Sequence, residues 1–293
     1  MMDELAIILV RGIGIGAIYA LIAMSFNVVH NASGVLNFAQ GNLLVVGGLF
    51  AATALAASHG HWGWILMLAV AVAALGLAVG FQGFVTLLPL RSSVDQHSWL
   101  VTTLAAAVII NGIILIAIGS EPLNARSPFA SVPLLGAGTP APYLLTTALA
   151  VSWWAALHWF HRSTETGIAM RAVAQDLEAA RAAGLPVRRL QLYAFAISGL
   201  ITGSAGFVAA PVLSMANDSG IGYSTHGFVA AVIGGLGSNA GALVGGLGIG
   251  IVSMYAAFQY GGEFQSAVSL GVLVAVLMLR PEGLFGRASG RRV

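Results

Sequence analysis

The chain has 293 residues, 58% of them hydrophobic and 8% charged, with a formal net charge of +2. Soluble domains carry about 25% charged residues, so a soluble fold is excluded: this much apolar surface could not be hidden beneath a polar exterior. Cysteine is absent and all 12 basic residues are arginine, which excludes a disulfide framework, a thiolate metal site and a Walker A loop, whose lysine must reach the nucleotide phosphates.

In chain order, the N-terminus carries Asp3 and Glu4 where a cleavable signal would be basic. The first apolar run, Leu5–Val29, is therefore expected to be retained as a helix. No charge occurs from Gly12 to Leu90. At about 20 residues per crossing, this region accommodates spans at Leu5–Val29, Val35–Ala57 and Trp62–Leu88. The second of these opens on Asn37, Gln40 and Asn42 and reads as a broken or re-entrant helix, tolerable at membrane depth only where protein covers it or it lines water. Trp99–Gly119, Tyr143–Phe160, Leu190–Leu213, Phe228–Tyr260 and Phe264–Leu279 follow. The region Thr225–Tyr260 is too long for one ordinary crossing and is interrupted by Gly234, Gly235, Gly237 and Gly241. It fits either two short crossings or a re-entrant segment plus a helix. The predicted fold is an all-α, polytopic membrane bundle of about 8–9 crossings, with residues 1–293 forming one transmembrane domain.

Arginine placement sets the orientation. The loop 161–189 holds Arg162, Arg171, Arg181, Arg188 and Arg189, and the tail 280–293 holds Arg280, Arg287, Arg291 and Arg292. Both are expected in the cytoplasm, as is the loop around Arg91. Ser120–Pro142, with only Glu121 and Arg126, is expected outside. A re-entrant N-terminal segment, or a double crossing of Thr225–Tyr260 that makes nine in all, reconciles these assignments. The pairs Gly12/Gly16, Gly76/Gly80, Gly199/Gly203, Gly241/Gly245 and Gly246/Gly250 have the spacing that lets helices approach closely in lipid, and indicate tight bundle packing.

The cytoplasmic loop is the longest polar interruption. Its helix-forming composition predicts a helix near Gly167–Ala183, stopped by Gly184 as a C-terminal cap with Pro186 beyond. Ile168, Ala172, Val173, Leu177 and Ala180 share one stripe, while Arg171, Gln175, Glu178 and Arg181 lie largely opposite. Such a helix either rests on the lipid interface or docks a soluble partner.

Glu178-Ala179-Ala180-Arg181-Ala182-Ala183-Gly184 resembles the EAAxxxG loop of ABC importer permeases. Gly34-Val35-Leu36-Asn37-Phe38-Ala39-Gln40-Gly41, Ala231-Val232-Ile233-Gly234-Gly235-Leu236-Gly237-Ser238 and Arg280-Pro281-Glu282-Gly283-Leu284-Phe285-Gly286 resemble the branched-chain amino-acid permeases of the smaller, "H" type, over essentially the whole chain. Gln40 stands where that family often has His. The resemblance implies a permease subunit of the bacterial inner membrane that is not itself an enzyme and holds no cofactor. ATP and Mg would be bound by two partner ATPase subunits. A second, related permease completes the pore and a periplasmic binding protein delivers substrate; no nucleic acid is involved. The resemblance assigns Glu178, Ala179, Ala180, Arg181 and Gly184 to coupling with the ATPase. Substrates implied are branched-chain amino acids or, in other relatives, urea, short amides or aromatic acids.

An amino acid crossing the bilayer needs polar partners, for which Asn37, Gln40, Asn42, Thr102, Thr103, Asn111, Ser204 and Ser238 are candidates; the competing role for each is a helix–helix hydrogen bond. Asn37 and Gln40 rank first, because amides at the start of a broken helix can face a carboxylate. An ion-coupled carrier would place ionisable groups within its spans. Here the runs are poor in them, Asp218 and Glu263 fall at edges, and the seven histidines are expected near span ends. His59-Gly60-His61 lacks a third metal ligand nearby, and Asn31-Ala32-Ser33 matches a glycosylation acceptor only by chance.

Overall fold

A helix that is apolar on every side is stable only when surrounded, and α1 (Met2–Ser33) takes that position. Residues 17–24 in its middle are between 0 and 4% exposed. The computed structural model describes residues 2–54, 61–87, 98–134 and 137–286. The Arg91 loop, His59 and the tail arginines Arg287, Arg291 and Arg292 lie outside the described residues.

After α1 come α2 (Gln40–Ala54), α3 (His61–Leu87) and α4 (Ser98–Ala117), then a loop holding the short strands β1 (Val132–Leu134) and β2 (Ala137–Thr139), and α5 (Ala141–Ser163). The surface helices α6 (Glu165–Gln175) and α7 (Leu177–Ala182) precede α8 (Val187–Ala209), α9 (Ser219–Gly234), α10 (Asn239–Tyr260) and α11 (Phe264–Leu279). The strands pair antiparallel, Val132 opposite Thr139; this hairpin is a small departure from the all-α expectation.

Two groups of contacts define the ends of the bundle. At one end, Leu123 and Met215 exchange backbone hydrogen bonds of 3.0 and 3.1 Å, and Trp64 and Phe129 pack with ring centroids 5.3 Å apart. At the other, the α6–α7 pair joins the end of α5 to the start of α8. Among the described residues, α1, the stretch 34–54, α3, α4, α5, α8, the stretch 210–234, α10 and α11 alternate between these ends, making nine passages. Five are single helices long and apolar enough to cross a membrane: α1, α3, α4, α8 and α10. The odd number resolves the orientation in favour of the double crossing: α9 and α10 are separate helices, and the arginine-rich loop and residues 280–286 share one end. Peripheral helices leave apolar side chains such as Val108, Ile116 and Met278 exposed, a surface that suits lipid or another subunit.

The glycine pairs lie at helix interfaces. A Cβ on Gly16 would sit 2.7 Å from the carbonyl of Gly246, and one on Gly12 would sit 2.8 Å from Cα of Ile251, so α1 and α10 touch backbone to backbone. Gly76 faces Leu200 and Gly80 faces Ala196, while Gly199 and Gly203 face Leu75, which fits α3 to α8. Gly241 and Gly245 do the same for α10 and α9, against Gly234 and Ala230.

Candidate translocation path and coupling helices

The break before α2 is built by side chains, not left open. Gly34 ends α1 at a φ of 69°. Asn37 then accepts from the amide of Ala39 at 3.2 Å, and the amide of Gln40 bonds to the carbonyl of Asn37 at 3.2 Å. The amide of Gly41 donates to Ser224 Oγ at 2.8 Å, and that hydroxyl donates to the carbonyl of Phe38 at 3.1 Å. A Cβ on Gly41 would strike the carbonyl of Gly220. The starts of α2 and α9 are thus stitched together inside the bundle, satisfying backbone groups that lipid could not. These first amides of α2 are already engaged, which removes the reason for ranking Asn37 and Gln40 first as carboxylate partners.

The polar candidates separate accordingly. Asn37 and Gln82 form a reciprocal amide pair, with bonds of 3.2 and 2.9 Å. Gln40 Nε2 donates to Ser198 Oγ at 3.1 Å, and its Oε1 is buried without a partner among the described residues. Thr103 donates to the carbonyls of Leu36 and Leu100 at 3.4 and 3.3 Å. Ser204 accepts from Trp153 Nε1 at 2.9 Å. Ser238 caps α10 by accepting from the amide of Gly241 at 3.0 Å. Only Asn42 and Asn111 come together, in a cavity of about 250 Å³ between α2, α4 and α9 whose lining includes Phe38, Ser224, Thr225 and Phe228. Asn42 donates to the carbonyl of Ala107 at 2.6 Å, and Asn111 accepts from Asn217 at 3.4 Å. The size falls just below the 300–1,000 Å³ of drug-sized ligand pockets, and the wall is largely apolar.

The Asn37–Gln82 pair allows a clean prediction. Asn37→Ala and Gln82→Ala should each lower the thermal stability of the purified protein, by up to about 1–3 kcal/mol where the buried Asn37 amide is left unpaired and less where the part-buried Gln82 is. The double variant should lose less than the sum, with a coupling of about 0.6–1.7 kcal/mol. Strictly additive losses in a double-mutant cycle of thermal unfolding would show that the pair contributes nothing.

The loop 161–189 differs from the single helix predicted for Gly167–Ala183. Asp176 takes extended backbone angles and its carboxylate accepts from the amides of Glu178 and Ala179 at 3.0 and 2.9 Å, ending α6 and capping α7. A side chain able to bond its own following amides competes with the helix, and here it wins. Met170, Val173 and Ala180 are buried, while Ile168, which its spacing puts on one stripe with Val173 and Ala180, is 52% exposed, because α6 turns its Met170–Val173 side inward. Glu178, Ala179 and Arg181 point outward with Gly184, and Ala180 turns in. Gly184 sits at a φ of 78°. Its amide bonds to the carbonyl of Arg181 at 3.0 Å and that of Leu185 to the carbonyl of Ala180 at 3.1 Å, the double bond pattern of a glycine-terminated helix.

Beneath this loop, Asn27 and Asn31, neither of which sequence reasoning gave a structural role, hold the α9–α10 break. Asn27 accepts from the amide of Gly237 at 2.9 Å and donates to the carbonyl of Ser238 at 3.0 Å, and Asn31 donates to the carbonyl of Gly237 at 3.0 Å. Residues 280–286 complete the corner: the amides of Leu284 and Phe285 bond to the carbonyls of Ile233 and Gly234 at 2.8 and 3.0 Å. Two segments that carry the family resemblance therefore pack on each other. The available signal was two amides four residues apart on an otherwise apolar helix. His226 is another correction: it lies within α9, not at a span end, stacked on Tyr19 with centroids 4.7 Å apart.

Nine alternating passages, two of them interrupted within the bundle beside a small, largely apolar cavity, with paired surface helices at the arginine-rich end, define a multi-pass membrane permease. The chain belongs to the family of branched-chain amino acid transport system permease components, whose model matches residues 8–277. It is 27% identical to the high-affinity branched-chain amino acid transport system permease protein LivH of Salmonella typhimurium, over 97% of this chain and 96% of that one. Identity to the permease protein BraD of Pseudomonas aeruginosa is likewise 27%, over 97% of each. A solved chain of PsaBC from Streptococcus pneumoniae in complex with Fab covers 97% of this chain and 98% of its own with a TM-score of 0.52, at 10% identity, a likeness of fold alone.

Proposed function

We propose that this chain is the membrane permease subunit of an ATP-driven importer of branched-chain amino acids in the bacterial inner membrane. The observation that carries the reading is the family match across residues 8–277. The chain itself hydrolyses nothing and holds no cofactor. ATP and Mg bind to two ATPase subunits on the cytoplasmic side, and a periplasmic binding protein delivers the amino acid from outside. A second, related permease subunit supplies the other half of the pore.

In this reading α7 is the lever. Its outward face, Glu178, Ala179 and Arg181, offers a charged pair around a thin centre that can seat in a groove of the ATPase. The cap at Gly184 fixes its angle to α8, so movement of the ATPase tilts α8, which packs against α1, α2 and α3. The stitch between α2 and α9 moves with it, and the cavity holding Asn42 and Asn111 opens alternately to either side. Asn42 and Asn111 meet the polar end of the solute, and Phe38 and Phe228 its apolar side chain.

The test is uptake of labelled leucine into proteoliposomes. The full assembly with ATP inside and binding protein outside should accumulate leucine. The permease alone, or the assembly without ATP, should not. Uptake by this chain alone would overturn the reading in favour of an ion-coupled carrier.

A further inference from the structure

A second, larger cavity of about 760 Å³ opens at the arginine-rich end, between the end of α1, the α5–α6 corner and the α9–α10 break. It shares no lining residue with the cavity between α2, α4 and α9. His158, His161 and Arg162 of α5, Arg171 of α6 and His30 of α1 all line it, and among the described residues no carboxylate does. Nη1 of Arg171 lies 3.4 Å from the carbonyl of His161, which holds its guanidinium at the corner. The start of α10, at Ser238 and Asn239, adds the positive end of a helix dipole. One buried ring nitrogen of the lining, Nδ1 of His30, has no hydrogen-bond partner among the described residues. Another part of the wall is apolar, formed by Trp154, Leu157 and Phe285.

We propose that this cavity binds a phosphate-bearing anion at the cytoplasmic face of the membrane, with Arg162 and Arg171 on the phosphate and the imidazoles beside it. Two guanidinium forks match phosphate oxygens in pairs. The volume exceeds what a bare ion fills, and the apolar wall accommodates an organic part. Basic pockets between membrane helices on the cytoplasmic side take acidic lipid headgroups; free phosphate is the other source of the same chemistry. A bound anion would tie the α5–α6 corner to the start of α10, and so set how firmly the α6–α7 pair is held. Nothing in the proposal depends on which solute is transported.

The test uses the full chain, assembled with its ATPase subunits and delipidated in detergent. Calorimetry follows titration with short-chain phosphatidylglycerol, short-chain phosphatidylcholine and inorganic phosphate. Saturable binding is expected for phosphatidylglycerol, and about tenfold weaker binding for phosphatidylcholine. Arg162→Gln with Arg171→Gln should weaken the anionic lipid about tenfold. Arg188→Gln, removing a cytoplasmic arginine that stacks on Phe84 at 5.3 Å away from the cavity, should leave it unchanged. Inorganic phosphate binding as tightly as the lipid identifies the free anion as the ligand. No saturable binding of either phosphate species, or equal binding by the wild type and the paired variant, overturns the proposal. Should the paired variant not stay monodisperse, the wild-type titrations decide: phosphatidylglycerol at the phosphatidylcholine level with no phosphate binding overturns it.

Discussion

Gly250→Leu is expected to abolish folded protein in the membrane, whereas Gly248→Ala, two residues away on the same helix, leaves the yield and melting temperature within experimental error or slightly raised. A Cβ on Gly250 would collide with Cα and N of Gly16 and the carbonyl of Gly12, all backbone of α1, while one on Gly248 meets nothing within 4 Å. Side-chain clashes can be relieved by rotamer changes; a clash between a side chain and a neighbouring backbone requires two helices to separate. Overpacking typically costs about 1–3 kcal/mol even where neighbours can adjust. Here separation would also strip contacts along α1, whose middle is fully enclosed. At Gly248 the change only improves helix propensity, by up to about 1 kcal/mol. Detergent-solubilised yield and thermal unfolding of the two variants check this. A well-folded Gly250→Leu protein would mean that α1 and α10 do not meet as described.

The glycine pairs show what a sequence of this kind discloses. Spacing indicated tight bundle packing, because small residues four apart let helix backbones approach in lipid, and in the structure all five pairs lie at helix interfaces. It could not say that Gly12 and Gly16 meet Gly246 and Gly250, since partner choice depends on the whole arrangement. The interruptions at Asn37–Gln40 and Gly234–Ser238 were legible because polar and glycine residues at membrane depth demand special handling. Their wiring was not. Ser224 and Asn27 lie far along the chain from the backbone groups they satisfy, and each reads locally as one polar residue among apolar neighbours. The same limit explains the path residues. Of the polar candidates Asn37, Gln40, Asn42, Thr103, Asn111 and Ser238, only Asn42 and Asn111 reach the small cavity, because lining is a property of three helices together. The break at Asp176 was missed for a different reason: propensity summed along the loop favours helix, and the capping bonds of one carboxylate outweigh it locally.

Glu178→Arg should eliminate ATP-driven uptake while leaving the permease nearly as stable as the wild type. The side chain of Glu178 is exposed, and its backbone amide donates to the Asp176 carboxylate. Folding is therefore little affected by the charge, beyond the roughly 0.3–1 kcal/mol that an acid contributes in the first turn of α7, and loss of uptake must come from a partner. Placing like charges across a docking surface costs several kcal/mol, and even about 2 kcal/mol corresponds to roughly a 30-fold weakening. Gly184 supplies the matching geometric test. Its Cβ position is empty to 4 Å, so only the backbone angle restricts it. Gly184→Asn should retain most uptake, because asparagine visits left-handed angles, whereas Gly184→Val, for which such angles cost about 1–2 kcal/mol, should tilt or fray α7 and uncouple transport. Leucine uptake and ATP hydrolysis measured side by side on the reconstituted assembly separate the cases. Loss of uptake with hydrolysis retained places the fault at the lever, and loss of both with the ATPases no longer co-purifying places it at docking. Wild-type uptake by both Glu178→Arg and Gly184→Val would remove α7 from the coupling path, because neither its outward charge nor its angle to α8 would then matter.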